Sequence, residues 1–221
     1  MPGFDLYTTI HKGLRHMLCD LGSDIRMNDF ADEASTAEVI AKAGHYLQMF
    51  YEHALREEES IHSQLRSFEP DIVERLEREH QQIEERGALV RESILKLEDT
   101  SGSERRIAVG IHLNQVFNAY QAFFYEHIDF EEVTVLPLTQ QYFDDMQLAA
   151  MRGDMLAHNT MERNMEWLDW MFRSGDVNEL SALLASIKAS PLPSETVQGL
   201  LTVARKSLGE ERWRAVQKKA A

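Results

Sequence analysis

The face that a bundle helix buries is set by its period, and in this chain that period runs through polar side chains. From Leu76 onward, apolar positions recur at steps of four and three: Leu76, His80, Ile83, Gly87, Val90, Ile94, Leu97. That spacing is one stripe of an amphipathic helix, and an imidazole occupies one place on it. A second stripe, Leu113, Phe117, Tyr120, Phe124, His127, Glu131, ends in an imidazole and a carboxylate. Burying such groups costs several kcal/mol unless they are hydrogen-bonded or hold a metal. The chain must therefore fold as helices that bring these residues to a common purpose.

Two further stripes complete the pattern. Tyr7, Ile10, Leu14, Leu18 and Leu21 predict a helix over roughly 5–24. Ile40, Ala43, Leu47, Phe50, Ala54, Ile61 and Leu65 predict another over roughly 36–66, led by the capping-box pattern "STAE". The first two stripes give helices over roughly 71–98 and 103–133, the latter ended by "LPL" at 136–138. The intervening breaks, "NDFADEAS", "SFEPD" and "DTSGSE", are short and rich in turn residues. Short connections between long helices give antiparallel neighbours, so the predicted fold is all-α: an up-down-up-down four-helix bundle over residues 1–140. A C-terminal helical extension is expected over 141–221, with a helix over roughly 143–173 and shorter pieces beyond "RSGD" and "SPLPSE". It is expected to pack on the bundle or at an oligomer interface, a homodimer in the simplest case.

Charge narrows the function classes. The formal net charge is −14 and the only local basic run is "RWRAVQKK" at the C-terminus, which argues against binding to nucleic-acid phosphates. No run is apolar enough to span a membrane. The N-terminal "MPGFDLYTTIHKG" lacks the basic and apolar regions of a signal peptide, and Cys19 is the only cysteine, so a cytoplasmic protein is the expectation. Cys19 itself reads as a small buried hydrophobe.

The chain repeats one phrase: "YEHALREE" at 51–58 and "YEHIDFEE" at 125–132, 74 residues apart. In each, a histidine precedes a glutamate by four residues (His53 and Glu57, His127 and Glu131). Residues four apart lie about 40° apart around a helix, so each pair offers one nitrogen and one oxygen to one site. The second glutamates, Glu58 and Glu132, are about 140° from their histidines and are expected to face away.

Register ties these pairs to two more histidines. Residues at one height on antiparallel neighbours are mirror images about the turn between them. The midpoint of 11 and 53 is 32, that of 53 and 80 is 66.5, and that of 80 and 127 is 103.5. All three fall in or next to the breaks. His11, His53, His80 and His127 are thus expected at one level, one per helix, with Glu57 and Glu131 beside them. Four imidazoles and two carboxylates exceed a single tetrahedral zinc site and suit two metal ions bridged by carboxylates. Mixed nitrogen and oxygen donors point to iron, with manganese or zinc as alternatives.

The motifs "TTIHKGLRHML", "YEHALREEESI", "EREHQQI" and "YEHIDFEEVTVLP", taken in order over residues 5–140, resemble the hemerythrin-like, or HHE cation-binding, family. The resemblance implies two iron ions, oxo- or hydroxo-bridged, held by His11, His53, Glu57, His80, His127 and Glu131. It also implies an exogenous partner that is a small diatomic ligand or peroxide, in oxygen binding, oxygen or iron sensing, iron handling, or nitric oxide chemistry. This chain departs from the oxygen carriers at two points. Glu84 stands where they place a second third-helix histidine, and the last carboxylate follows its histidine by four residues rather than five. Glu84 and Glu58 are both open as extra ligands.

Three functions compete: a metal-binding protein that binds or senses a small molecule, a di-iron oxidoreductase acting on peroxide, oxygen or nitric oxide, and a metal-free helical interaction module. No catalytic acid, base or nucleophile motif stands apart from the metal pattern. His16, His45, His62, His112 and His158 fall off the stripes or off the level and read as surface or structural residues, with His16 the nearest to an exception. Glu52, Glu126 and Asp129 read either as carboxylates that orient the imidazoles or as residues of the solvated face. Tyr7 and Tyr120 are expected near the core.

Overall fold

The computed structural model describes residues 4–220, and among them every regular element is helical. Helix α1 spans Thr8–Met27. Helix α2 runs over Glu33–Glu57, passes through a π-turn at Glu58–His62 and ends with Ser63–Leu65. Helix α3 is Pro70–Asp99, with proline in the first turn, where its missing N–H costs nothing. Helix α4 is Ser103–Phe130, followed by a second π-turn at Glu131–Val135 and by Leu136–Tyr142. Beyond it come α5 (Asp145–Ala157), α6 (Met161–Ser174), α7 (Val177–Ala189) and α8 (Ser194–Lys219).

Several boundaries differ from expectation for physical reasons. Asp32, not the "STAE" pattern, starts α2: its carboxylate accepts the N–H groups of Ala34 and Ser35. Pro137 does not end α4. The π-turn before it pairs the Leu136 N–H with the Glu131 carbonyl, and the helix continues to Tyr142. The helix expected over 143–173 is two helices, the second begun by Thr160, whose hydroxyl accepts the Arg163 N–H.

By contacts the described chain forms two compact units: residues up to His16 with those from Leu156 onward, and Met17–Met155. The larger unit holds the second half of α1, helices α2 to α4 and most of α5. Every residue of the α3 stripe from Leu76 to Leu97 is buried, as is every residue of the α4 stripe. Phe50, Phe117, Tyr120 and Phe124 form an aromatic layer, with Phe50 and Phe124 ring centres 5.2 Å apart. One end of the bundle is tied by Arg106, which is buried and donates from Nε to the Phe30 carbonyl and from Nη1 to the carbonyls of Leu97 and Thr100. Gly110 is required beside it, because a Cβ there would lie 2.1 Å from the Phe30 ring. At the other end the Phe68 ring stacks on Tyr142 at 4.7 Å, and the Tyr142 hydroxyl donates to Glu69. Cys19 is exposed rather than buried, its Sγ 3.1 Å from the Tyr125 hydroxyl.

The smaller unit has its own apolar core, built on Leu168, Phe172, Leu184, Ala204, Trp213 and Val216. Asp176 caps α7 in a full capping box with Glu179. Lys12 of α1 donates to Glu179 at 2.6 Å. Helix α8 bends at Gly209, whose φ of 67° is accessible to glycine without penalty.

Candidate metal centre

One turn along from the aromatic layer, the bundle core becomes polar. On α2, Phe50 is followed by His53 and then Glu57; on α4, Phe124 is followed by His127 and then Glu131. All four polar residues are buried, and Glu131 is wholly so. His80 joins them from α3, 5% exposed. The ligand atoms of Glu57, His80, His127 and Glu131 lie within 4.8 Å of one another, a donor set able to hold a metal ion. His53 Nε2 is 3.1 Å from Glu57 Oε1, so it shares that carboxylate from the other side of its own helix turn. The structure thus brings together five of the six residues read from the sequence within the larger unit. His11, the sixth, is fully buried on the first turns of α1 and belongs to the smaller unit, where its ring packs 5.3 Å from Tyr7.

The imidazoles are oriented by carboxylates. His80 Nδ1 donates to Glu58 at 2.9 Å, and His127 Nδ1 donates to Glu79 at 2.9 Å. The hydrogen bond from His80 holds the Glu58 carboxyl below its ordinary range. Burial works to raise Glu79, but the bonds from His127 and Arg75 outweigh it and hold that group low as well. Ionised carboxylates only accept, so each ring keeps its proton on Nδ1 and turns Nε2 inward. The two inward nitrogens face each other at 3.0 Å. Two bare lone pairs at that distance repel unless a cation lies between them. Burial outweighs the bond to Glu79 and pushes the His127 ring down to about 4, so it is neutral at ordinary pH.

The carboxylates show the same imbalance. Burial first, and the neighbouring charge of Glu57 second, raise Glu131 well above the ordinary carboxyl range. Glu57 Oε2 lies 3.6 Å from His80 Nε2, and Glu131 Oε1 lies 3.4 Å from His127 Nε2. A cation placed among these oxygens and nitrogens would relieve the repulsion of both pairs together.

Some roles differ from the sequence reading. Glu58 does not face away: from the flank of α2 its carboxylate reaches His80 Nδ1. Glu79, next to His80 in sequence, was not foreseen as an orienting group; the signal available was a carboxylate flanking a core imidazole. Glu126 is exposed. Glu84, open as a ligand, is exposed and ion-paired with Arg91. His45, His112 and His158 are exposed as expected, and His16 bonds Ser174 and packs edge-on to Trp170. His62 is different. It is fully buried, and its ring stacks on His80 with centres 5.2 Å apart.

The sequence profile of the hemerythrin HHE cation-binding domain matches residues 3–139. The chain belongs to the hemerythrin HHE family. The match covers well over half of the sequence and contains every ligand read from it. Comparison with curated proteins and with solved structures gives no match. As a hemerythrin-type bundle the molecule is a cation-binding fold with a buried donor set to match, and no helix among the described residues is long and apolar enough to cross a membrane.

Proposed function

We propose that the chain is a non-haem di-iron protein that binds or senses oxygen, nitric oxide or iron. The single observation that carries this is the pair of facing Nε2 atoms of His80 and His127, each locked by a carboxylate on its far nitrogen and flanked by buried Glu57 and Glu131. His80 and His127 would hold one ion, His53 the other, and Glu57 and Glu131 would bridge them. His11 is assigned to the second ion on the sequence register alone. Bound iron would supply a redox-active Lewis acid; the residues supply its orientation and its dry surroundings.

A cavity of about 190 Å³ between α2 and α3 supports a small exogenous ligand. Its lining combines Leu47, Phe50, Ile83 and Tyr120 with the charged Glu58, Glu77, Glu84 and Arg91, and it reaches His80. That volume holds several waters' worth of space but is smaller than the pockets that take drug-sized molecules. It fits a diatomic molecule or peroxide. The same cavity also suits a second reading, an oxidoreductase that turns over peroxide at this centre.

The test is metal content after anaerobic addition of ferrous iron, with visible spectra before and after admitting air. Two irons per chain and a new absorption band on oxidation are expected. A band that fades when oxygen is removed fits reversible binding, and steady consumption of hydrogen peroxide fits the oxidoreductase. Failure to take up iron, manganese or zinc would overturn both.

A further inference from the structure

The two repeated phrases continue past their shared glutamates, and there they part. Under the 74-residue offset, Ile61 corresponds to Val135, both fully buried, and His62 corresponds to Leu136. One helix thus carries hydrocarbon where the other carries an imidazole.

The backbone explains why His62 reaches the core. Five residues separate it from Glu57, which in an α-helix would put it about 140° around the axis. In α2 the Ser63 N–H bonds the Glu58 carbonyl, five residues back, so the turn holds an extra residue. The wider turn brings His62 round toward the face of His53 and Glu57. It is anchored there by Ser60, buried in the same turn, whose hydroxyl donates to Asp154 at 2.7 Å. The His62 side chain has no exposed surface, and neither ring nitrogen has a hydrogen-bond partner among the described residues. Leaving a buried imidazole so placed is costly, and hydrocarbon fills the matching, half-buried position of the other repeat. Its neighbours include His80, stacked on it, and the charge of Glu57.

We propose that His62 is a further imidazole of the centre, a nitrogen ligand to the metal ion held by His80 and His127. It fills from α2 the place left open on α3, where Glu84 turns outward to Arg91. It is not among the four residues whose ligand atoms converge, so a rotation of its ring accompanies metal uptake. The inference rests on the metal-centre reading above.

Cobalt(II) is the probe. The ring N–H protons of imidazoles on cobalt are shifted far outside the ordinary proton spectrum and exchange with water, so they count the histidine ligands. His62→Leu, which copies the other repeat, is expected to remove one such signal, to weaken cobalt binding about tenfold or more, and to leave the metal-free protein at least as stable as before. His62→Gln, closer in polarity, is read the same way should the leucine variant fail to fold. Cobalt binding with an unchanged signal count and affinity in the folded variants would overturn the role of His62 alone. No cobalt uptake by the unaltered protein would overturn the centre itself, and this inference with it.

Discussion

The aromatic layer and the polar layer of the bundle are built by the same helices, one turn apart, and are stabilised in opposite ways. Phe50, Phe117, Tyr120 and Phe124 satisfy one another: ring centres between 5.2 and 6.2 Å apart give dispersion and burial with nothing left over. The polar layer is less evenly matched: the outer nitrogens of His80 and His127 are bonded to Glu58 and Glu79, yet their inner nitrogens face each other, and Glu131 lies beside the charge of Glu57. The first layer contributes stability by burial; the second is the one a bound cation would stabilise. Periodicity treats the two alike, because it records which face is buried and not whether the buried atoms are compensated.

The largest test of that contrast is Phe124→Ala. It is expected to cost about 3–5 kcal/mol in denaturant unfolding, equally with and without metal. Glu131→Leu is expected to act the other way. It abolishes metal uptake and leaves the metal-free protein at least as stable as before, measured by parallel metal analysis and urea melts. A loss of metal-free stability in that variant would show the polar layer to be structural. Glu79→Gln keeps size and loses the charge that fixes the His127 tautomer. Metal affinity is expected to fall about 10–100-fold with an unchanged helical circular dichroism spectrum.

The smallest effect is a slope against pH in the metal-free protein. His127 and His62 are held down to about 4 and about 3, chiefly by burial, against about 6.5 when unfolded. Below pH 6.5 the unfolded chain therefore takes up protons first, and stability falls until the folded rings titrate. Glu131 has the opposite sign: its raised pKa means that the folded state gains a proton first and is stabilised as pH falls. Removing that term in Glu131→Leu should steepen the loss between pH 6.5 and about 4. An unchanged slope in urea melts would place the charge on some other group.

Much of this was readable in the residues. The α3 and α4 stripes are buried at every predicted position, and His53, Glu57, His80, His127 and Glu131 meet where the register put them. The stripe on α2 was less clear, because Val39 and Tyr46 are buried where Ile40 and Ala54 were expected to be. What failed to show was whatever depends on departure from the α period. Assuming 3.6 residues per turn placed His62 off the face and treated Pro137 as a stop; Glu58 keeps the α register and reaches His80 by the length of its side chain. Asp32 was overlooked as a cap because "STAE" carries the stronger pattern three residues later. Beyond α5 the chain offers turn signals but no chemistry-bearing repeat, so of its core at Phe172, Leu184 and Trp213 only the tryptophan pointed to packing.

The two π-turns also bear on how the chain tolerates changes in length. Each adds a residue to a helix whose flanks stay in phase: Glu57 and Leu65 remain buried on either side of the first, Phe124 and Thr139 on either side of the second. Deleting one residue from an ordinary helix rotates everything beyond it by about 100°. Deleting one within Glu58–His62 or Glu131–Val135 would instead return an unbroken α-helix and leave both flanks in place. These are the two places in the bundle helices where a residue can be lost without unpicking the core, and in the first the loss would fall on His62 and on the carboxylate that aims His80.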